Sequence, residues 1–576
     1  MTMKSSEEWM LKYNGWLNDA LIDEHTKEEL RAIAGDEKEI ADRFYRDLQF
    51  GTGGLRGVIG AGTNRMNAYT VGKATQGLAE WLLARHATDA AAPPSVVIAH
   101  DSRHFSPEFA LEAALVLAGN GVKAYLFDSL RSTPQLSYSV RLLNASAGIV
   151  ITASHNPPEY NGYKAYGADG GQLIPEEAEQ VIEAIAHVTG FHAVKRVSKE
   201  QAIAAGLLEY LDEKADESYI ETVAAQSLCG DLLQGELGDA FNIVFTPLHG
   251  AGHMAVRETL KKIGFRQVHI VSEQQDPDGS FPTVKSPNPE EKDAFALALK
   301  LAEEVQADII VGTDPDADRM GAIVKNKSGS YEVLSGNQSG ALMIYYILEQ
   351  LQRQNRLPDN GVVIKTVVTS ELGAVVAQSF GASVENTLTG FKYIGEKMTR
   401  YEQTKERSFL FGYEESYGYL TGDYARDKDA IVATMLICEA AAYYSKQGKT
   451  LVDVLEELYE RFGYYKESQQ SRTLKGMDGV AQIAAIMEDW RTAPPAAAAG
   501  SSVVQALDYS QGIDGLRKEN VLKFILADGS WFCLRPSGTE PKIKVYFAVK
   551  GQTAAEADTR MQSLQTEVMA RVDRLS

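Results

Sequence analysis

The sequence predicts an α/β protein: three similar α/β domains followed by a smaller C-terminal α+β domain. Three observations lead there: a chain of 576 residues, a strand–helix–strand pattern met three times, and a last segment that breaks the pattern. At about 150 residues per domain, the length fits about four domains. The first triplet is Val96 to Asp101, Ser106 to Gly121 and Val122 to Asp128. Ser106-Pro107-Glu108 supplies an N-cap, an early proline and an acid, the marks of a helix start. The second triplet is Asn242 to Thr246, His253 to Gly264 and Phe265 to Ser272. The third is Gly361 to Thr369, Ser370 to Phe380 and Gly381 to Asn386. A strand, a helix and a second strand of this length form a crossover unit. Unrelated α/β chains yield such triplets too, so periodicity alone leaves the kinship of the three domains open.

The last segment reads differently. Arg491 to Ser502 is rich in Pro, Ala, Gly and Ser and reads as a loop or linker. Beyond it, Val521 to Ala527, Trp531 to Leu534 and Lys542 to Val549 are strand-like, and a helix from Thr553 to Leu575 closes the chain. The expected domains are residues 1–208, 209–330, 331–460 and 461–576.

Composition excludes several classes. Hydrophobic residues make up 44% and charged residues 23%, an ordinary globular balance rather than that of a disordered chain. The net charge of −21 repels nucleic-acid phosphate and anionic membrane surfaces, so neither is an expected partner. The three cysteines, Cys229, Cys438 and Cys533, form no C-x-x-C pair, which fits a reducing compartment. No apolar run reaches the ~18 residues of a membrane helix, and the N-terminus has no signal-peptide core. The expected location is the cytoplasm.

Four segments carry candidate chemistry. Ala147 to Thr152 is a buried-strand run that ends in Ala153-Ser154-His155-Asn156-Pro157-Pro158. Loops at strand ends are where α/β proteins place reactive groups. A serine nucleophile needs a base or a metal; His155 is adjacent and Lys164 follows ten positions on. Alone, the segment serves equally as a turn with a capping serine. Gly312-Thr-Asp314-Pro-Asp316-Ala-Asp318-Arg319 is sharper. Three carboxylates at alternate positions, with Pro315 bending the chain, can converge on a hard divalent cation such as Mg²⁺. An EF-hand would need glycine and glutamate where Arg319 and Lys325 stand. A solvated acidic turn is the plain alternative, and Asp276-Pro-Asp278-Gly, with two acids, reads as a turn.

Glu414-Glu415-Ser416-Tyr417-Gly418 offers carboxylates and a hydroxyl suited to sugar hydroxyls, or an exposed acidic turn. Arg535-Pro-Ser537-Gly538-Thr539 offers a guanidinium fork, hydroxyls and open backbone N–H groups for phosphate, or a plain turn. Gly51 to Gly57 is not a dinucleotide fingerprint, because Arg56 stands where a glycine is required. Gly448-Lys449-Thr450 is not a P-loop, because Tyr443 replaces the first glycine. Arg56 in a glycine loop is a plausible anion contact.

These four motifs, in this order and in separate segments, resemble the α-D-phosphohexomutase family from Gly51 to Val545. Thr152 to Pro157, Asp314 to Arg319, Glu414 to Ser416 and Arg535 to Thr539 look like its phosphoserine, metal, sugar and phosphate loops. The resemblance implies mixed sheets and a heart-shaped molecule around a central cleft. It implies a phosphorylated Ser154 and Mg²⁺ on Asp314, Asp316, Asp318 and a phosphate oxygen of Ser154. It further implies Lys164 as general acid/base beside His155, with Arg56 and Arg319 steadying the phosphoryl group. Glu414, Ser416 and Lys392 would bind sugar, and Arg535, Ser537, Gly538 and Thr539 the phosphate that is not reacting.

The expected substrate is a small sugar phosphate and the expected primer a sugar 1,6-bisphosphate; oligomeric state is left open. Glu-Glu-Ser-Tyr-Gly resembles the phosphoglucomutase form of the sugar loop, whereas the mannose/glucose form has Gly-His where Tyr417 and Gly418 stand. Length and Thr389-Gly-Phe-Lys392 resemble the branch that holds long bacterial phosphoglucomutases and phosphopentomutases. The expected reaction is exchange of glucose 1-phosphate and glucose 6-phosphate, with pentose or mannose phosphates as alternatives. A serine/metal phosphatase and a noncatalytic sensor are the rivals outside the family.

Overall fold

In a computed structural model, the structure describes residues 3–51, 53–86, 93–474, 476–537 and 542–574. The chain forms two compact units. The first comprises Met1–Ile323, Gly395–Thr404 and Gly418–Glu439; the second comprises Val324–Ile394, Lys405–Tyr417 and Ala440–Ser576. Two pieces of the segment expected as the third domain therefore belong to the first unit. They are held there by Arg426, which donates to Glu402 Oε2 (2.6 Å), and by Thr399, which donates to Asp169 Oδ2 (2.7 Å). Tyr219 completes the attachment by donating to Asp429 Oδ2 (2.7 Å).

The first unit begins with three helices, Met3–Asn18, Glu24–Ala32 and Glu37–Phe44. Asp23 and Asp36 cap the second and third by accepting from Thr26 N and Glu39 N. Their apolar faces close on a small aromatic core of Trp9, Tyr13, Trp16 and Phe44, where Phe44 meets Tyr13 and Trp16 edge-on.

A six-stranded sheet follows, built from β1 (Gly54–Val58), β2 (Ser95–His100), β3 (Lys123–Phe127), β4 (Ala147–Ile151), β5 (Tyr160–Gly167) and β6 (Leu208–Leu211). Its order is β1–β5–β4–β2–β3–β6. The four strands from β4 to β6 run parallel, while β5 and β1 are antiparallel, so the sheet is mixed. The core strand β4 is buried at every position, as its unbroken apolar sequence requires. A second sheet contains β7 (Asn242–Thr246), β8 (Gln267–Ile270), β9 (Ile309–Thr313) and β10 (Met320–Lys325), in the order β10–β9–β7–β8.

In the second unit, β11 (Gly361–Thr366) pairs in parallel with both β12 (Ser383–Thr387) and β13 (Ser408–Glu414). The C-terminal sheet is antiparallel: β14 (Tyr464–Thr473), β15 (Ser501–Asp508), β16 (Leu522–Leu526), β17 (Trp531–Pro536) and β18 (Lys542–Gly551). One face, with Phe524, Phe532, Leu534, Val545 and Phe547, packs under helices Gly476–Thr492 and Ala554–Asp573. The other face, with Trp531, Cys533 and Tyr546, packs on Val367, Val368 and Leu388. Lys523 ties the contact by donating to Val367 O (2.7 Å) from above the Trp531 ring.

All three expected triplets are present, and each pairs its two strands in parallel. Three local readings need correction. Ser106 is not the N-cap of its helix; Phe105 holds that place in a left-handed conformation, and the Ser106 hydroxyl donates inward to Asp101 Oδ1. Arg491 to Ser502 is not a linker, because the helix runs on to Thr492 and Ala497–Ala498 turns back antiparallel onto β15. Strand β14 went unread because its sequence, Tyr464 to Thr473, is almost wholly polar. Leu575 lies outside the described residues. Among the described residues, no disulfide joins Cys229, Cys438 or Cys533. No helix among the described residues is long and apolar enough to cross a membrane.

The aromatic core of the first three helices depends on Phe44, which is fully buried. Phe44→Ala is expected to lower the stability of the first unit by about 3–5 kcal/mol through lost burial and a residual cavity. Denaturant unfolding followed by tryptophan fluorescence measures it, since Trp9 and Trp16 report that core directly; a midpoint equal to that of the parent protein would contradict this account.

Candidate active site

The loop between β4 and β5 turns at Ser154, whose φ of 53° is left-handed. For a residue with a Cβ, that conformation needs support from its surroundings. Arg103, fully buried, supplies it. Its guanidinium donates to the main-chain oxygens of Ser154 (2.6 Å), Pro157 (2.8 Å) and Tyr160 (3.0 Å), and also to that of Asn156. Asp101 lies 3.3 Å from Arg103 Nε and neutralises it. Asp101 Oδ2 also accepts from the Thr152 hydroxyl (2.6 Å), and Thr152 Oγ1 accepts from Ser154 N (2.8 Å). A buried salt bridge thus fixes the serine through a chain of hydrogen bonds.

The second loop follows β9. It turns at Ala317 (φ 50°), not only at Pro315, and Ala317 N donates to Asp314 O. Asp314 Oδ1 accepts from Asp318 N (3.1 Å) and Arg319 N (3.0 Å), so the first carboxylate closes the loop on itself. Gly250 lies beneath: a Cβ there would stand 2.5 Å from Pro315 Cα. Asp314, Asp316 and Asp318 are all buried, and they offer oxygens within 4.8 Å of one another.

The two loops meet inside the first unit. Ser154 Oγ donates to Asp314 Oδ2 at 2.7 Å and lies 3.2 Å from His155 Nδ1. Lys164, on β5 opposite Val150 and Gly54, donates to Asp316 Oδ2 (2.7 Å) and Asp318 Oδ2 (3.1 Å). Burial acts to discharge Lys164, but the carboxylates of Asp316 and Asp318 outweigh it and raise its pKa above the usual lysine value. Burial, with Asp316 and Asp318 close by, holds the Asp314 carboxyl well above the usual carboxylate range. Burial acts the same way on Asp318, yet Lys164, Lys428 and Arg319 outweigh it and lower its pKa. Arg319 is paired with Glu290, and Arg56 on β1 donates to Asn156 Oδ1 (3.1 Å).

The donor set fits a hard cation. Asp316 Oδ1 and Asp318 Oδ1 are buried and accept no hydrogen bond among the described residues. Oxygens desolvated without a donor are costly, and an oxygen-seeking divalent ion would satisfy them.

The second unit holds the remaining candidates. Glu414, buried at the end of β13, accepts from Gly390 N (2.9 Å), which draws the Thr389–Lys392 segment to it. Glu415 Oε2 accepts from the hydroxyls of Thr366 (3.3 Å) and Thr369 (3.2 Å). Lys392 is largely buried, its Nζ 5.2 Å from the Tyr393 ring centre. Ser416 is half-buried beside Glu415. Alternation along β17 puts Arg535 on the face of Trp531 and Cys533, and its Nε lies 3.4 Å from Glu519 Oε1. Ser537 N donates to Lys542 O. Gly538 and Thr539 lie outside the described residues.

Models of the phosphoglucomutase/phosphomannomutase α/β/α domains I, II and III match residues 47–191, 217–329 and 335–462, and the C-terminal domain model matches 471–564. The phosphoglucomutase of Staphylococcus haemolyticus (strain JCSC1435) is 38% identical over 88% of this chain and 91% of its own length. The chain belongs to the phosphoglucomutase/phosphomannomutase family. It is accordingly an enzyme, a phosphotransferase of the isomerase kind. The phosphoglucomutase of Staphylococcus epidermidis (strain ATCC 35984) is 36% identical over 93% of this chain and 96% of its own length. The fold also matches solved structures. Pp63/parafusin, a Paramecium phosphoglucomutase in an open form, aligns with a TM-score of 0.71 at 18% identity, over 92% of this chain and 95% of that one. A Burkholderia thailandensis family protein aligns with a TM-score of 0.65 at 19% identity, over 91% and 97%. The three amino-terminal helices precede the first matched domain.

Three residues around the loops escaped the sequence reading. Lys428 lies 3.2 Å from Asp318 Oδ2 and 3.0 Å from Asp427 Oδ1. Its signal was available: Arg426-Asp427-Lys428-Asp429 puts four charges directly before an apolar helix, Ala430–Ser445, where solvent cannot take them all. Arg103 gave no periodic signal, being one charge after a strand end. Thr133 donates from its hydroxyl to Asp316 Oδ2 at 2.8 Å, across 183 positions of sequence.

The imidazole beside Ser154 carries a pH signature. Burial, with Arg319 and Arg56 adding to it, holds His155 well below the usual histidine value. The unfolded chain therefore binds a proton there that the folded chain refuses, and stability present above the unfolded pKa, near 6.5, is lost as pH falls. Unfolding free energy is expected to fall between about pH 7 and about pH 5, with a shallower fall in His155→Gln. Urea titrations at several pH values measure both slopes; equal slopes would remove His155 from the account.

Proposed function

We propose that this enzyme interconverts glucose 1-phosphate and glucose 6-phosphate through a phosphoserine at Ser154 and a glucose 1,6-bisphosphate intermediate. The observation that carries the reading is the Ser154 hydroxyl, held in a left-handed turn and donating to Asp314 at 2.7 Å at the edge of a three-carboxylate cluster. The names carried by the 36–38% identical relatives support the sugar.

In the proposed sequence, phospho-Ser154 donates its phosphoryl group to the free hydroxyl of a sugar monophosphate. The Ser154 Oγ–P bond breaks, a P–O bond to the sugar forms, and the hydroxyl proton passes to the enzyme. The bisphosphate then turns, Ser154 Oγ takes back the other phosphoryl group, and the isomer leaves. Asp314, Asp316, Asp318 and the Ser154 phosphate would hold Mg²⁺, which when bound would supply charge neutralisation to the phosphoryl group. Lys164, kept protonated by Asp316 and Asp318, serves as the acid toward Ser154 Oγ as it departs. His155 stays neutral beside it and adds no charge at the oxygen. Arg56 and Arg319 spread the charge of the transferring group. Glu414, Ser416 and Lys392 hold sugar hydroxyls, and Arg535 with the loop of Ser537, Gly538 and Thr539 holds the other phosphate. That loop recognises phosphate rather than sugar, which lets it accept either end of the bisphosphate.

Ser154→Ala is expected to abolish turnover, with the far-ultraviolet circular dichroism and melting temperature of the parent retained. The assay supplies Mg²⁺ and a trace of glucose 1,6-bisphosphate, offers glucose, mannose and ribose 1-phosphates separately, and reads free phosphate in parallel. Preference for glucose 1-phosphate with little phosphate released is the expected result. Preference for ribose 1-phosphate would reassign the sugar, and stoichiometric phosphate release would replace the mutase with a phosphatase. Arg535→Ala is expected to raise KM by roughly tenfold or more with a smaller change in kcat, the mark of binding shared by ground and transition states; a fall in kcat alone would place Arg535 in the chemistry.

A further inference from the structure

We propose that Thr133 is a positioning residue that aims Asp316 at its cation, an inference that rests on the metal reading of the three-aspartate cluster. Thr133 opens the helix Thr133–Leu142, whose N-cap is Ser132, the acceptor for Gln135 N. It is fully buried, as is Asp316. Two bonds join them: Thr133 N donates to Asp316 O at 2.9 Å, and Thr133 Oγ1 donates to Asp316 Oδ2 at 2.8 Å. The main-chain bond fixes where Asp316 stands, and the side-chain bond fixes how its carboxylate is turned.

The two oxygens of Asp316 are thereby made unequal. Oδ2 accepts from Thr133 Oγ1 and from Lys164 Nζ, at 2.8 and 2.7 Å, while Oδ1 is buried with no donor among the described residues. A carboxylate with both donors on one oxygen cannot rotate without breaking two charge-assisted hydrogen bonds inside a dry site. The donorless oxygen is left for the ion. The two donors differ in how firmly they set the orientation. Lys164 is shared with Asp318 Oδ2 (3.1 Å) and sits on a flexible stem. Thr133 is short, β-branched and restricted at χ1. Donors that orient a ligand typically govern metal affinity by about 10–100-fold.

The test uses full-length, dephosphorylated protein and Mn²⁺ as the probe, with binding read by calorimetry or water-proton relaxation, independent of turnover. Thr133→Val removes the hydroxyl at nearly constant volume, and Thr133→Ala is a second variant that does so without the branched side chain. Thr133→Ser restores the donor. The expected result is Mn²⁺ affinity weakened about 10–100-fold in the Val and Ala variants and returned toward the parent value in Ser. Turnover in the Val variant is expected to fall at low Mg²⁺ and recover as Mg²⁺ is raised, a pattern that a merely destabilised fold would not give. Parent-like Mn²⁺ affinity in whichever of Val or Ala folds would overturn the proposal while leaving the metal site standing. Asp316→Asn separates the two: if it binds Mn²⁺ as tightly as the parent, the metal reading itself fails and the role of Thr133 fails with it.

Discussion

Three carboxylates buried within 4.8 Å of one another set the terms for the first unit. At an effective dielectric constant of about 20, each such pair repels by on the order of 3 kcal/mol. Burial adds the loss of water, which otherwise screens and solvates the ions. The surrounding structure divides the answer among neighbours. Asp314 is satisfied by its own loop and by Ser154, Asp318 by Lys164 and Lys428, and Asp316 by Lys164 and Thr133. What remains are Asp316 Oδ1 and Asp318 Oδ1, which find no donor among the described residues. Repulsion that the protein leaves partly unanswered is a standing attraction for a divalent cation.

The strand order explains why these neighbours are at hand. In the first sheet, β4 and β5 are antiparallel, so the chain that leaves β4 with Ser154 returns beside it with Lys164. β1, antiparallel to β5, adds Arg56 along the edge, opposite Gly162. An all-parallel sheet would have needed a crossover at this point and would have carried Lys164 far from Ser154. The segment Gly418–Glu439 reaches the first unit from much later in the chain and brings Lys428 to Asp318. In the second unit, the two faces of the C-terminal sheet do different work. One makes a core with its helices, and the other carries Arg535 on the side that meets Val367 and Leu388.

The groups with chemistry were legible where they are contiguous. Asp314, Asp316 and Asp318 lie within five residues, and Ser154 stands at the end of a buried strand; local pattern marks both segments, while resemblance to the family's loops set them apart from plain turns. The three crossover units were legible because apolar strands and cap residues are local signals too. The polar strand β14 was not, since its alternation involves tyrosine, glutamate and glutamine whose burial depends on neighbours distant in sequence. Nor was Ser106, whose hydroxyl prefers a buried Asp101 to its own helix. Thr133, Arg103 and Lys428 act across long sequence separations, and in isolation each resembles a cap, a strand-end charge or a solvated lysine. What separates them is burial and partner, and both are properties of the fold.

Arg103 holds the serine loop in an unusual way. All four oxygens it binds there belong to the main chain, those of Ser154, Asn156, Pro157 and Tyr160. A guanidinium bound to carbonyls takes no notice of the side chains those residues carry. Much of the shape of the loop is therefore stored in one residue 51 positions upstream of Ser154, with the Thr152 hydroxyl holding Ser154 N, and the loop's own side chains carry less of that load. Between Ser154 and Tyr160, positions other than Pro157 and Pro158 can change side chain and keep the main-chain contacts that hold the turn. Form and chemistry in this loop are inherited separately.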